Sequence, residues 1–111
     1  MDETHYRLLR LFEARQEWSQ RELAQELGIS LGKVNYCLNA LIAKGWIKAQ
    51  NFRNNRNKLV YAYLLTPSGI EEKAILTLNF IRRKIAEYEA LEQEIAQLRR
   101  EYNGSVRENT R

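Results

Sequence analysis

Apolar residues recur at helical spacing from the start of the chain. His5, Leu8, Leu9 and Phe12 stand three and four apart and form one stripe on a helix expected over Asp2 to roughly Gln16, with Asp2 or Thr4 as its cap. Ser19-Gln20-Arg21-Glu22 has the form of a capping box, in which serine and glutamate satisfy free backbone amides at a helix start. A short second helix follows, with Leu23, Ala24 and Leu27 inward. Gly28 ends it, because glycine tolerates the left-handed backbone that side chains with a Cβ resist. Ile29 fills the turn and Ser30 caps a third helix. On that helix Val34, Cys37, Leu38, Leu41 and Ile42 share one face. Gly32, Lys33, Tyr36, Asn39 and Ala43 lie opposite, Asn35 lies on the flank, and Gly45 stops the helix.

After Gly45 the period changes. Trp46 to Phe52 and Leu59 to Leu65 read as strands, the second rich in strand formers such as Val60, Tyr61 and Tyr63. Between them Arg53, Asn54, Asn55, Arg56, Asn57 and Lys58 form a polar hairpin tip with three cations. Thr66-Pro67 opens a last helix, since proline at the first helical position loses no hydrogen bond. From Ala74 the apolar positions Leu78, Ile81, Ile85, Tyr88, Leu91, Ile95, Leu98 and Tyr102 follow at spacings 4-3-4-3-3-4-3-4, a coiled-coil-like repeat with one irregularity. A helix over 67–102 is roughly 50 Å long, more than so small a domain can cover, so this stripe is expected to carry dimerisation. The polar tail 103–111 is expected to be flexible.

The 111 residues allow one compact domain and one extension, and 18 Lys and Arg against 14 Asp and Glu leave a net charge of +4. That total says little, but its distribution says more. From Leu27 to Ile70 there is no acidic residue, while Lys33, Lys44, Lys48, Arg53, Arg56 and Lys58 are all positive; the other 67 residues carry 12 basic and 14 acidic groups. A basic middle between slightly acidic ends points to an anionic partner. One cysteine, Cys37, excludes an intramolecular disulfide or a cysteine-based zinc site, and a reducing cytoplasm fits it. No apolar run reaches membrane-spanning length, so no membrane contact is expected. The chain has no phosphate-binding glycine loop, zinc-spaced histidine pair or nucleophile motif. Glu71 and Glu72 fall on a helix surface. Neither catalysis nor a metal or other cofactor is expected.

Two short helices joined by a glycine turn, the second with an exposed polar face, describe a helix-turn-helix, whose second helix enters the DNA major groove. With the basic hairpin it becomes a winged helix. The fold class expected is therefore mainly α with a small β-hairpin: a winged helix-turn-helix over 1–66, a long dimerisation helix over 67–102 and the tail. Ser19-Gln20-Arg21-Glu22-Leu23-Ala24, Leu27-Gly28-Ile29-Ser30, Leu38 to Leu41, Lys44-Gly45-Trp46-Ile47 and Leu65-Thr66-Pro67-Ser68-Gly69 together resemble MarR-type winged-helix transcriptional regulators over roughly residues 4 to 70. Gly32 to Leu38 and Tyr61-Ala62-Tyr63 are similar to a small subgroup associated with exopolysaccharide biosynthesis loci.

The resemblance implies a dimer that binds double-stranded DNA, with recognition-helix side chains in the major groove and the wing at the adjacent minor groove. Ser30, Lys33, Asn35, Tyr36 and Asn39 are the expected base and phosphate contacts. Arg53, Asn54, Asn55, Arg56 and Lys58 are the expected wing contacts, mostly salt-dependent. Family members add an amino-terminal helix that helps form the dimer and a ligand crevice. Here the winged-helix pattern starts almost at Met1, so dimerisation is expected from the last helix alone and a small-molecule effector is not. Cys37, on the buried face, reads as a packing residue rather than an oxidant sensor. The expected function is a homodimeric repressor. The rival reading is a protein-interaction module whose long helix pairs with an unlike partner.

Overall fold

The computed structural model of the chain describes residues 3–51 and 60–109, which fall in two compact units, Met1–Thr77 and Leu78–Arg111. The elements run α1 (Glu3–Ala14), β1 (Glu17–Ser19), α2 (Gln20–Leu27), α3 (Leu31–Ala43), β2 (Ile47–Asn51), β3 (Val60–Leu65) and α4 (Pro67–Asn109). This is a winged helix followed by a long carboxy-terminal helix, the architecture that the periodicity and turn signals predict.

One core holds the first unit together. Leu8, Leu9 and Phe12 of α1 meet Leu23 and Leu27 of α2, Val34, Cys37, Leu38 and Leu41 of α3, and Trp18, Ile47 and Tyr63 from the sheet. The Phe12 and Tyr63 rings stack with centroids 4.8 Å apart. These are the apolar stripes of the sequence, except at Ile42, which is 42% exposed. On a helix Ile42 lies about 100° around from Leu41, at the rim of the face that Val34, Cys37 and Leu38 define.

Local chemistry sets the ends of α2 and α3. The Ser19 hydroxyl accepts from the Glu22 N–H and the Glu22 carboxylate accepts from the Ser19 N–H, each at 3.0 Å, completing the capping box. Gly28 adopts φ 65° and its N–H bonds back to carbonyls of the last turn of α2, as the sequence requires. The Arg7 guanidinium donates to the Leu27 carbonyl at 3.3 Å, tying α1 to the same helix end.

The sheet has one strand more than the alternation predicts. β1 pairs antiparallel with β3 (Glu17 opposite Ala62, Ser19 opposite Val60), and β2 pairs with the other edge of β3 (Ile47 opposite Leu65, Asn51 opposite Tyr61). The order is therefore β1-β3-β2. Three residues are too few to show a period, and β1 exists only through its long-range partner. Its Trp18 is held on both sides: the indole N–H donates to the Arg15 carbonyl at 2.8 Å, and the Arg15 guanidinium lies 3.7 Å above the ring. Phe52, Leu59 and the hairpin tip between them lie outside the described residues.

α4 starts where Thr66-Pro67 predicts, with the Thr66 hydroxyl accepting from the Gly69 N–H at 3.0 Å and donating to the Gly45 carbonyl. Gly69 is required here by close approach, since a Cβ would fall on the Trp46 carbonyl, 2.8 Å from its carbon. Two boundaries differ from expectation. The first unit continues past residue 66 to Thr77, because Leu76 packs against the core and Lys73 pairs with Glu13 at 2.9 Å. And α4 does not end near Tyr102: what was expected as the start of a flexible tail is helical to Asn109. A glycine such as Gly104 costs a helix only about 1 kcal/mol, and extending a helix already nucleated adds one hydrogen bond per residue.

Candidate nucleic-acid interface

α3 buries one face and offers the other. Val34, Cys37, Leu38 and Leu41 are inside, while Ser30, Lys33, Asn35, Tyr36 and Asn39 are all exposed, Tyr36 to 73%. The structure thus brings the five recognition-helix candidates together on one solvent-facing surface. The Ser30 oxygen accepts from the Lys33 N–H at 3.1 Å, so the cap uses its acceptor side and the hydroxyl hydrogen is available to a phosphate.

The two asparagines are not independent. Asn39 Nδ2 donates to Asn35 Oδ1 at 3.1 Å, and Asn35 Nδ2 donates to Gln20 Oε1 at 3.4 Å. Tyr63 on β3 is buried, and burial is the main cause that pushes its pKa up, with Gln20 opposing. A line of polar groups therefore runs from the first turn of α2 to the exposed face of α3. It turns the Asn39 amide so that Nδ2 faces Asn35 and Oδ1 faces away. A carboxamide of fixed orientation can tell a donor from an acceptor on a base edge, which a freely rotating one does poorly.

Gln20 is the residue that the sequence pattern misses, since its partners are distant in the chain. Leu31 is a second: at 46% exposed, it opens α3 beside the polar face, where an apolar side chain suits a thymine methyl. The Lys44 N–H closes the last turn of α3, and its exposed side chain places the ammonium 5.7 Å from the centre of the Trp46 ring.

The wing candidates Arg53, Asn54, Asn55, Arg56 and Lys58 lie outside the described residues. In the second unit, Leu78, Ile81, Ile85, Tyr88, Leu91, Ile95, Leu98 and Tyr102 are all exposed, from 41% at Ile95 to 69% at Tyr102. Cys37 is buried on the inner face of α3. Among the described residues no three His, Cys, Asp or Glu side chains group as metal ligands, and no helix is long and apolar enough to cross a membrane.

Residues 1–48 match a family model described as winged helix-turn-helix DNA-binding. No curated protein matches the chain. Solved structures share the fold. The MarR protein from Peptoclostridium difficile aligns over 95% of this chain and 70% of its own at 14% identity, TM-score 0.68. A MarR/EmrR family transcriptional regulator from Acinetobacter sp. ADP1 aligns over 93% and 77% at 20% identity, TM-score 0.63. RV1404 from Mycobacterium tuberculosis aligns over 78% of this chain at 17% identity, TM-score 0.60, and there the chain spans 57% of the other's length.

Proposed function

We propose that this winged helix-turn-helix chain is a MarR-type transcriptional regulator that binds double-stranded DNA as a homodimer in the cytoplasm. α3 lies in the major groove and reads bases with Lys33, Asn35, Tyr36 and Asn39. Ser30 holds a phosphate. The cations Arg53, Arg56 and Lys58 bind phosphates or enter the adjacent minor groove. The second units pair through the stripe from Leu78 to Tyr102, so that two recognition helices meet the halves of a roughly palindromic operator. Occlusion of a promoter makes such a dimer a repressor. Exopolysaccharide biosynthesis genes are the candidate targets, on the resemblance of Gly32 to Leu38 and Tyr61 to Tyr63 alone.

The observation that carries this reading is the exposed polar face of α3, held in fixed orientation by Gln20, Asn35 and Asn39 in the element order of a winged helix. Titration of duplex DNA at several salt concentrations tests it. Affinity should fall steeply with salt, and Arg53→Ala with Arg56→Ala should reduce the slope of log K against log salt by about 0.9 for each phosphate that is no longer neutralised. A protein that binds no duplex at low salt is not a DNA-binding regulator, and an unchanged slope removes the wing from the interface.

A further inference from the structure

The apolar positions of α4 are palindromic. Their spacing reads the same in both directions, and the one break in the repeat, the two consecutive threes, is centred on Tyr88. Every residue of the stripe has a counterpart such that the two numbers add to 176: Leu78 with Leu98, Ile81 with Ile95, Ile85 with Leu91, and Tyr88 with itself. In sequence the relation extends to Ala74 with Tyr102 and Ile70 with Val106. From Leu78 to Leu98 all seven side chains are exposed.

A parallel, in-register pair of identical helices sets every residue beside its own copy and asks for no relation between its two halves. An antiparallel pair sets residue n beside residue 176 − n of its partner, and only a palindromic stripe then closes into a continuous apolar seam. We propose that the second units pair antiparallel, with Tyr88 on the two-fold axis. This rests on the reading of α4 as a homodimer helix and adds its direction and register.

Charge agrees. Arg82, Arg83 and Lys84 lie on one side of Tyr88, and Glu92 and Glu94 on the other. Antiparallel pairing brings each basic block level with an acidic one. Along the flanks of the seam, Arg82 meets the partner's Glu92 and Lys84 meets the partner's Glu94, and the two-fold repeats both contacts. Parallel pairing would set three cations level with the same three cations, which costs energy at a packed interface. Within one chain Lys84 pairs with Glu87, at 3.2 Å and well exposed, a surface pair of the kind worth little; its ammonium also lies 5.2 Å from the centre of the Phe80 ring.

Single cysteines at the ends of the seam decide the matter, because a disulfide needs Cα atoms about 4.4–6.8 Å apart. Leu78→Cys and Leu98→Cys are substitutions of exposed residues, and the native Cys37 is buried. Under mild oxidation, the two variants co-expressed with distinguishable tags should cross-link to each other, and either one alone should not. If each variant instead cross-links to itself, the pairing is parallel and the proposal fails with the dimer intact. If the full-length variants sediment as dimers but no combination cross-links, the seam lies elsewhere and the proposal again fails. If the protein sediments as a monomer, the dimer reading falls as well, a separate result.

Discussion

At the scale of single residues, the exposed polar face of α3 depends on orientation as much as on composition. Asn35 and Asn39 sit one helical turn apart, and their mutual hydrogen bond continues to Gln20. Asn39→Ala should weaken binding to a specific operator by about 1–3 kcal/mol, the range for a good base contact, and should leave binding to random duplex nearly unchanged. Gln20→Ala should act in the same direction by less, since it frees the asparagines without removing them. Fluorescence anisotropy with operator and scrambled duplexes measures both, and an equal loss on the two duplexes would show that Gln20 acts on stability alone. Lys33, Tyr36 and Asn39 could be placed on one exposed face from the sequence, with Asn35 on its flank and Ser30 as the cap, because helical period is local information. The part played by Gln20 could not, because its bond to Asn35 spans fifteen residues and exists only once α2 and α3 have packed.

At the scale of elements, α2 is specified by its own ends and β1 is not. The Glu22 carboxyl is held below the usual glutamate range, chiefly by the Ser19 backbone N–H at 3.0 Å, with the Ser19 hydroxyl and Arg15 assisting against partial burial. A depressed folded-state pKa stabilises the fold above the unfolded value, about 4.3, and that contribution is lost as pH falls through the lower folded value. Glu22→Gln keeps an acceptor for the capping box but cannot titrate. The variant should therefore be less stable than the parent near neutral pH, and chemical denaturation should show the gap closing as the solution is acidified below the ordinary glutamate range. A gap that stays constant with pH would mean that the charge of Glu22 contributes nothing. The same contrast explains which elements were legible. Caps and glycine turns announce α2, α3 and the start of α4, whereas β1 is three residues fixed by pairing with β3. The end of α4 escaped for another reason: its last turns carry no helix stop stronger than Gly104, and the loss of apolar periodicity marks only where a stripe weakens.

At the scale of the whole molecule, the +4 charge matters less than its placement: the acid-free stretch 27–70 holds α3 and the cations Arg53, Arg56 and Lys58, and α4 carries alternating blocks of sign. In the proposed function DNA affinity and self-association are linked, because two α3 helices on one dimer would reach adjacent half-sites at a high effective concentration that separate monomers lack. Ile95→Glu with Leu98→Glu places two charges in the proposed seam, on side chains that are already exposed in the single chain, so each chain should stay folded while the dimer dissociates. Sedimentation should give monomers and thermal unfolding of the first unit should be unchanged. Affinity for a two-half-site operator should fall by at least tenfold, toward that of a single half-site, and the slope of log K against log salt should drop to about half, since each binding event then neutralises half as many phosphates. A monomeric variant that kept both full affinity and full slope would show that one winged helix suffices for binding. The stripe on α4 would then serve some purpose other than coupling two half-sites.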